Sequence, residues 1–280
     1  MKRIGFIDYY LDEWHANTYP EMIRQASQGD LQVTCAYGYR DAPGGRTTEK
    51  WCQDMGIRQC AAISEVVADS DYLVVLSPDH PQMHWELCQE PLRSGKRTYV
   101  DKTFAPTLAV AKDLFSIAEE SQTPIYSSSA LAFSNELADL PAGPVQWISS
   151  FGPGEFSNYL IHQVEPIMEI FKENPLQVQY CGSDRRPTVM IQFPENRLAV
   201  LTLLSDSACD FAMDLQYADG RMERIPRATQ YFERFIESMV RFFQTGGVPV
   251  PKERTVRVAA VLEAAAKAKE NPGSWTPVFA

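Results

Sequence analysis

The sequence predicts an α/β fold: a doubly wound parallel sheet, then a second α+β domain with a mostly antiparallel sheet. Three observations carry this. Up to residue 128, short apolar runs alternate with helical patterns. Near Pro141-Ala142-Gly143-Pro144 that alternation gives way to strand-type runs separated by short turns. Among the early runs, Tyr72-Leu73-Val74-Val75-Leu76 is apolar and rich in β formers, as a strand buried on both faces must be.

The elements follow in order. Strand patterns fall at residues 3–8, 32–37, 72–77, 98–101 and 125–128, with helical stretches at 14–27, 47–55, 64–68, 81–94 and 107–120. Pro81 suits a first helical turn and Gly95 the residue just past a helix end. Strand–helix alternation implies parallel strands with helices on both faces. The second half opens with a strand at 145–150 and a helix at 157–172. Strand patterns follow at 177–181, 188–193, 198–204, 212–217 and 221–225, with a hairpin turn at Gly220. Two helices close the chain, at 230–244 and 254–269. The expected domains are residues 1–128 and 129–280, with ligands bound at the carboxyl ends of the parallel strands.

Bulk properties narrow the function. At 280 residues the chain can bury a full core. Its net charge of −10 argues against nucleic acid or an anionic membrane as partner, because like charge would repel it. No apolar run reaches the ~20 residues of a membrane span. The six cysteines include no C-x-x-C pair, so buried reduced thiols in a cytoplasmic protein are expected. The first strand begins at once, so no signal peptide is expected.

Three segments offer chemistry. In Tyr99-Val100-Asp101-Lys102-Thr103-Phe104, the lysine follows a strand end, where it can orient a hydroxyl or exchange a proton; it can equally be an exposed lysine. Asn158, His162 and Glu165 lie at i, i+4 and i+7, one face of a helix, where a histidine can be held in one tautomer. A histidine bonded to a core neighbour is the alternative. In Ser77-Pro78-Asp79-His80-Pro81-Gln82-Met83-His84, two histidines sit four apart without a third ligand, so no metal is expected.

Taken together and in this order, these segments resemble the Gfo/Idh/MocA family, that of glucose–fructose oxidoreductase and inositol dehydrogenase. Asp101-Lys102-Thr103 looks like its Glu-Lys-Pro motif, and Ser77-Pro78-Asp79 with His84 like its Thr-Pro-Asn turn and following histidine. Asn158-Tyr159-Leu160-Ile161-His162-Gln163-Val164-Glu165 is similar to its Asp-x-Gly-x-His-x-x-Asp helix, and His15-Ala16 to the pair after its glycine loop. The resemblance implies a Rossmann-type N-terminal domain, an open C-terminal sheet and assembly of copies through that sheet. It also implies oxidation or reduction of a sugar, cyclitol or related polyol with NAD or NADP. Carried over by position, Lys102 would hydrogen-bond the reacting oxygen and His162 would move its proton. Asn158 would orient the substrate in place of an aspartate, and Glu165 completes the catalytic set. The cofactor side would comprise Gly5, Ile7, Asp8, Tyr9, Tyr37, Arg40, Ser77, Pro78, His84, Asp101 and Lys102.

One departure bears on the reaction. The family's G-x-G-x-x-G keeps only Gly5, and the loop that follows reads Asp8-Tyr9-Tyr10-Leu11-Asp12-Glu13. Glycines there let backbone N–H groups approach a pyrophosphate. Two further readings therefore stand beside the oxidoreductase: a cofactor-independent carbohydrate lyase, hydratase or epimerase on the same scaffold, and a non-enzymatic sugar-binding subunit.

Overall fold

The computed structural model describes residues 1–279. In chain order the elements are β1 (Lys2–Asp8), α1 (Trp14–Ala26), β2 (Leu31–Gly38), α2 (Thr48–Met55), β3 (Arg58–Gln59), α3 (Ile63–Asp69), β4 (Tyr72–Val75), α4 (His84–Leu87), β5 (Thr98–Val100), α5 (Leu108–Glu120) and β6 (Ile125–Tyr126). There follow α6 (Asn135–Ala138), β7 (Val145–Pro153), α7 (Phe156–Phe171), β8 (Gln177–Ser183), β9 (Arg186–Gln192), β10 (Leu198–Leu204), β11 (Ala212–Tyr217), β12 (Met222–Ile225), α8 (Tyr231–Thr245), α9 (Lys252–Glu270) and β13 (Trp275–Pro277).

The chain groups into two compact units, one of Met1–Ser128 with Phe235–Lys252, the other of Ser129–Arg234 with the residues from Glu253 onward. The first unit holds a sheet in the order β3-β2-β1-β4-β5-β6, every pairing parallel. That is the doubly wound Rossmann order, and its reversal between β1 and β4 opens a crevice at the strands' carboxyl ends. Leu73, Val74 and Val75 are fully buried, as the uniform apolar run requires. Phe235–Lys252 lies far beyond residue 128 yet packs on this unit through its aromatic residues. Phe243 stacks on Tyr72 at 5.1 Å, and Phe242 meets Tyr126 edge-on at 5.0 Å. The helix expected at 81–94 is instead three short pieces: 3-10 turns at Pro81–Met83 and Pro91–Arg93, with α4 between. Pro91 explains the break, since it lacks the N–H a continuous helix needs.

The second unit holds a sheet in the order β12-β11-β7-β10-β9-β8-β13. It is mostly antiparallel, with one exception. β7 and β10 pair in parallel, from Leu198 opposite Trp147 to Leu204 opposite Pro153. Between them the chain passes through α7 and the β8–β9 hairpin, a long enough crossover to return in the same direction. α7 is anchored to α9 inside this unit: Arg254 Nε lies 3.5 Å from Glu165 Oε2, and the same guanidinium pairs with Glu169. Among the described residues, no helix is long and apolar enough to cross a membrane.

Candidate functional site

In the first unit, Asp8 closes β1 and the Asp101-Lys102 pair directly follows β5, so both stand at the carboxyl ends of the sheet. Lys102 is only 7% exposed, and its Nζ donates to the Pro78 carbonyl at 3.2 Å. Asp101 accepts the Tyr99 hydroxyl at 2.7 Å. The Lys102–Thr103 peptide is cis. His84 sets this loop in place. Its ring is fully buried, with Nε2 2.8 Å from the Leu76 carbonyl and Nδ1 3.0 and 3.1 Å from the carbonyls of Thr103 and Phe104. One imidazole thus ties the end of β4 to the segment after Lys102, a positioning role. Burial lowers its pKa, against the carbonyls at both ring nitrogens, which raise it; in the neutral form only one of the two nitrogens carries an N–H to donate. Ser77 is also buried, holds φ at 109° and donates to the His80 carbonyl at 2.9 Å. Ser77 and Pro78 thereby form the turn that receives Lys102.

The loop after β1 is satisfied from within. The Tyr9 N–H donates to Asp8 Oδ1 at 2.6 Å. Asp12 accepts from the Arg46 guanidinium at 2.6 and 3.0 Å and from the Arg46 N–H at 2.8 Å; these bonds hold its carboxyl at about 2. Glu13 is the N-cap of α1. Its Oε2 accepts the His15 N–H at 2.8 Å and lies 2.8 Å from His15 Nδ1, and its Oε1 accepts the Ala16 N–H. Tyr9 stacks against Tyr39 at 5.8 Å, meets His80 at 4.6 Å, and accepts Arg40 Nη1 at 2.9 Å. Tyr37 is half-buried at the end of β2. Gly5 and Ile7 lie beneath. A Cβ on Gly5 would fall 2.3 Å from Ser70 Oγ and Val66 Cγ1, so that glycine serves the packing of β1 on α3.

Buried carboxyls and an imidazole sit close together here. Desolvation, then the Glu13 charge, pushes the Asp8 carboxyl well above its ordinary value. For His15, burial works downward, but the charges of Asp101 and Glu13 outweigh it and raise its pKa. The strand ends therefore favour protons and cations over anions. A pyrophosphate needs bare N–H groups and no adjacent carboxylate. The first turn has neither, so these residues do not fit a dinucleotide pyrophosphate held there.

In the second unit, Asn158, His162 and Glu165 share one side of α7, at different depths. Asn158 and His162 are half-buried, whereas Glu165 is buried against Arg254. His162 Nδ1 lies 2.7 Å from Ser129 Oγ, and its ring contacts Tyr159 at 5.1 Å and Phe211 at 5.7 Å. An imidazole oriented by a hydroxyl and two aromatic edges can pass protons. Sequence reasoning missed Ser129, 33 positions from its partner, and it left the Glu13–His15 pair unassigned. Glutamate is not a favoured N-cap residue, so nothing local flagged it. Among the described residues, no group of three metal-ligating side chains forms a metal site.

Comparison with known proteins fits this geometry. Residues 15–128 match the Gfo/Idh/MocA family, described as an oxidoreductase family with an NAD-binding Rossmann fold. The likeness to that family is carried by these residues. The match begins at His15, just past the altered loop. An uncharacterized oxidoreductase of Escherichia coli K12, YhhX, is 40% identical over 57 residues, which are 20% of this chain and 16% of that protein. The chain thus spans a small part of the curated relatives it matches, 15% of a second one from Schizosaccharomyces pombe. The whole fold is similar to apo scyllo-inositol dehydrogenase from Lactobacillus casei, with TM-score 0.79 and 13% identity over 100% of this chain and 98% of that one. It is likewise similar to GenD2 from gentamicin A biosynthesis, in complex with NAD, with TM-score 0.80 and 13% identity over 100% and 97%.

Proposed function

We propose that the chain is an oxidoreductase of this family acting on a sugar, cyclitol or related polyol. In this reading hydride is exchanged with NAD or NADP, bound in a mode that does not use the N-terminus of α1. Lys102 is the observation that carries the reading. It is a buried ammonium at a β5 end, beside Asp101 and within the family-matched residues. A desolvated cation there is suited to hold a substrate hydroxyl and stabilise negative charge developing on its oxygen. His162, oriented by Ser129, is assigned the substrate proton. Asn158 is assigned substrate orientation, because a carboxamide donates and accepts hydrogen bonds but takes no proton at neutral pH. Glu165 supports α7 through Arg254. Asp8, Tyr9, Tyr37, Arg40, Ser77 and Pro78 are assigned to the cofactor side, with Gly5, Ile7 and His84 beneath them.

The test is turnover on a panel of sugars, cyclitols and polyols with NAD and with NADP, followed by nicotinamide absorbance. Lys102→Met should abolish any turnover the wild type shows. Absence of turnover with both cofactors, together with no binding of either at millimolar concentration, would overturn the reading. A second reading is then favoured by the Glu13 carboxylate on α1: proton transfer on a carbohydrate without nicotinamide, as elimination, hydration or epimerisation. Self-assembly through the second-unit sheet and a reducing, cytoplasmic location belong to the same proposal, the latter supported by six free cysteines.

A further inference from the structure

In a doubly wound fold, the N-terminus of the helix after β1 is where an anion docks, because unpaired N–H groups and the helix dipole converge there. In this chain three successive groups of that turn are already occupied. The His15 and Ala16 N–H groups donate to the Glu13 carboxylate, and the Asn17 N–H donates to the Glu13 carbonyl at 2.9 Å. The Tyr9 N–H donates to Asp8. The loop also cannot swing aside cheaply. Asp12 clamps it to Arg46 through charge-assisted bonds and accepts from the Asn17 amide at 3.1 Å. Asn17 in turn accepts the Trp51 indole N–H at 2.7 Å.

We propose that Glu13 is a built-in occupant of this anion position, its carboxylate standing on α1 where a dinucleotide would place its pyrophosphate. The chain therefore admits no pyrophosphate there. Three features support this. First, the carboxylate makes the bonds a phosphate oxygen would make, to two successive N–H groups of the first turn. Second, it is held by His15, whose ring Nδ1 is 2.8 Å away and whose ring makes T-shaped contacts with Trp14 and Tyr19, each at 5.2 Å. Third, Asp8 lies buried at the strand end immediately behind, with Oδ2 lacking a hydrogen-bond partner. A phosphate brought beside Glu13 would be repelled by its carboxylate, the more strongly where water is excluded. The inference rests on the loop's geometry and not on the choice of substrate. It says how NAD or NADP is not held, whichever reaction the chain performs.

The test uses the full chain and inorganic pyrophosphate as probe. Glu13→Ser removes the charge but keeps an N-cap hydroxyl. The wild type should show no pyrophosphate binding by calorimetry at millimolar concentration, and Glu13→Ser should gain at least about tenfold, which is 1.4 kcal/mol. Wild-type binding as tight as that of the variant, or no gain in a folded variant, overturns the proposal. If Glu13→Ser does not fold, Glu13→Gln serves for the same comparison. The His15 imidazole, followed by NMR, gives an independent readout. Its pKa should fall in Glu13→Gln, and an unchanged value overturns the proposal. Finally, if the wild type binds NAD or NADP, pyrophosphate should not displace it; displacement overturns the inference while leaving the oxidoreductase reading intact.

Discussion

The Ser129 hydroxyl lies 2.7 Å from Nδ1 of His162, joining the start of the second unit to the second turn of α7. Ser129 Oγ also accepts the Leu131 N–H at 3.3 Å, so the hydroxyl is itself fixed. If His162 moves the substrate proton, its orientation matters to kcat more than to KM. Ser129→Ala is expected to lower kcat about tenfold with KM little changed, and His162→Ala to lower it by about 10²-fold or more. Steady-state kinetics on any substrate the wild type turns over checks this; equal effects on kcat and KM would count against the role.

Asp8 makes the first unit sensitive to pH. Its folded carboxyl keeps a proton that the unfolded chain releases near the ordinary value of 3.8. A raised carboxyl pKa contributes stability that is fully present below that value, and the contribution is lost as pH rises toward the folded pKa. Asp8→Asn keeps the acceptor for Tyr9 and removes the titration. It should stabilise the protein more at pH 8 than at pH 5. Chemical denaturation at the two pH values checks this, and an equal gain at both would count against Asp8 as the source.

His15 acts in the same direction over a higher window. Its raised pKa contributes stability below the ordinary 6.5 that is lost as pH rises through the folded value. His15→Gln should flatten the stability profile above pH 6.5. A slope there as steep as in the wild type would exclude His15 as its source.

Arg254 is 5% exposed and faces two carboxylates, Glu165 and Glu169. Removing the cation strands buried negative charge, at a cost of about 3–5 kcal/mol. Arg254→Met should lower the denaturation midpoint sharply. Pairing it with Glu165→Gln should recover part of the loss, a coupling that a double-mutant cycle measures.

Gly5 tests what the surviving glycine is for. An alanine methyl there would sit only 2.3 Å from Ser70 and Val66, so Gly5→Ala should destabilise by about 1–3 kcal/mol through overpacking. It should do so without changing affinity for any nicotinamide cofactor, as calorimetry can check.

The alternating half of the chain was legible because parallel strands buried on both faces write themselves as apolar runs, Tyr72–Val75 above all. Lys102 and His162 could be picked out because each follows or rides on a clear element. What escaped depended on distance or brevity. β3 and β13 have two and three residues, too few to show a period. The parallel pairing of β7 with β10 spans intervening elements that local turn chemistry does not reach. The sequence showed that the Asp8–Glu13 loop was wrong for a phosphate, but not that Glu13 turns back onto α1; that needs the path of the chain.

The first unit is closed by Phe235–Lys252, so the polypeptide passes between units at 128–129, 234–235 and 252–253. As the chain leaves the ribosome, all six strands of the parallel sheet emerge long before the aromatic helix that covers Tyr72 and Tyr126. Domains usually mature in the order of synthesis. Here the unit begun first cannot be finished until most of the other has been made, and a fragment ending at residue 128 would leave the ribosome with its apolar flank uncovered.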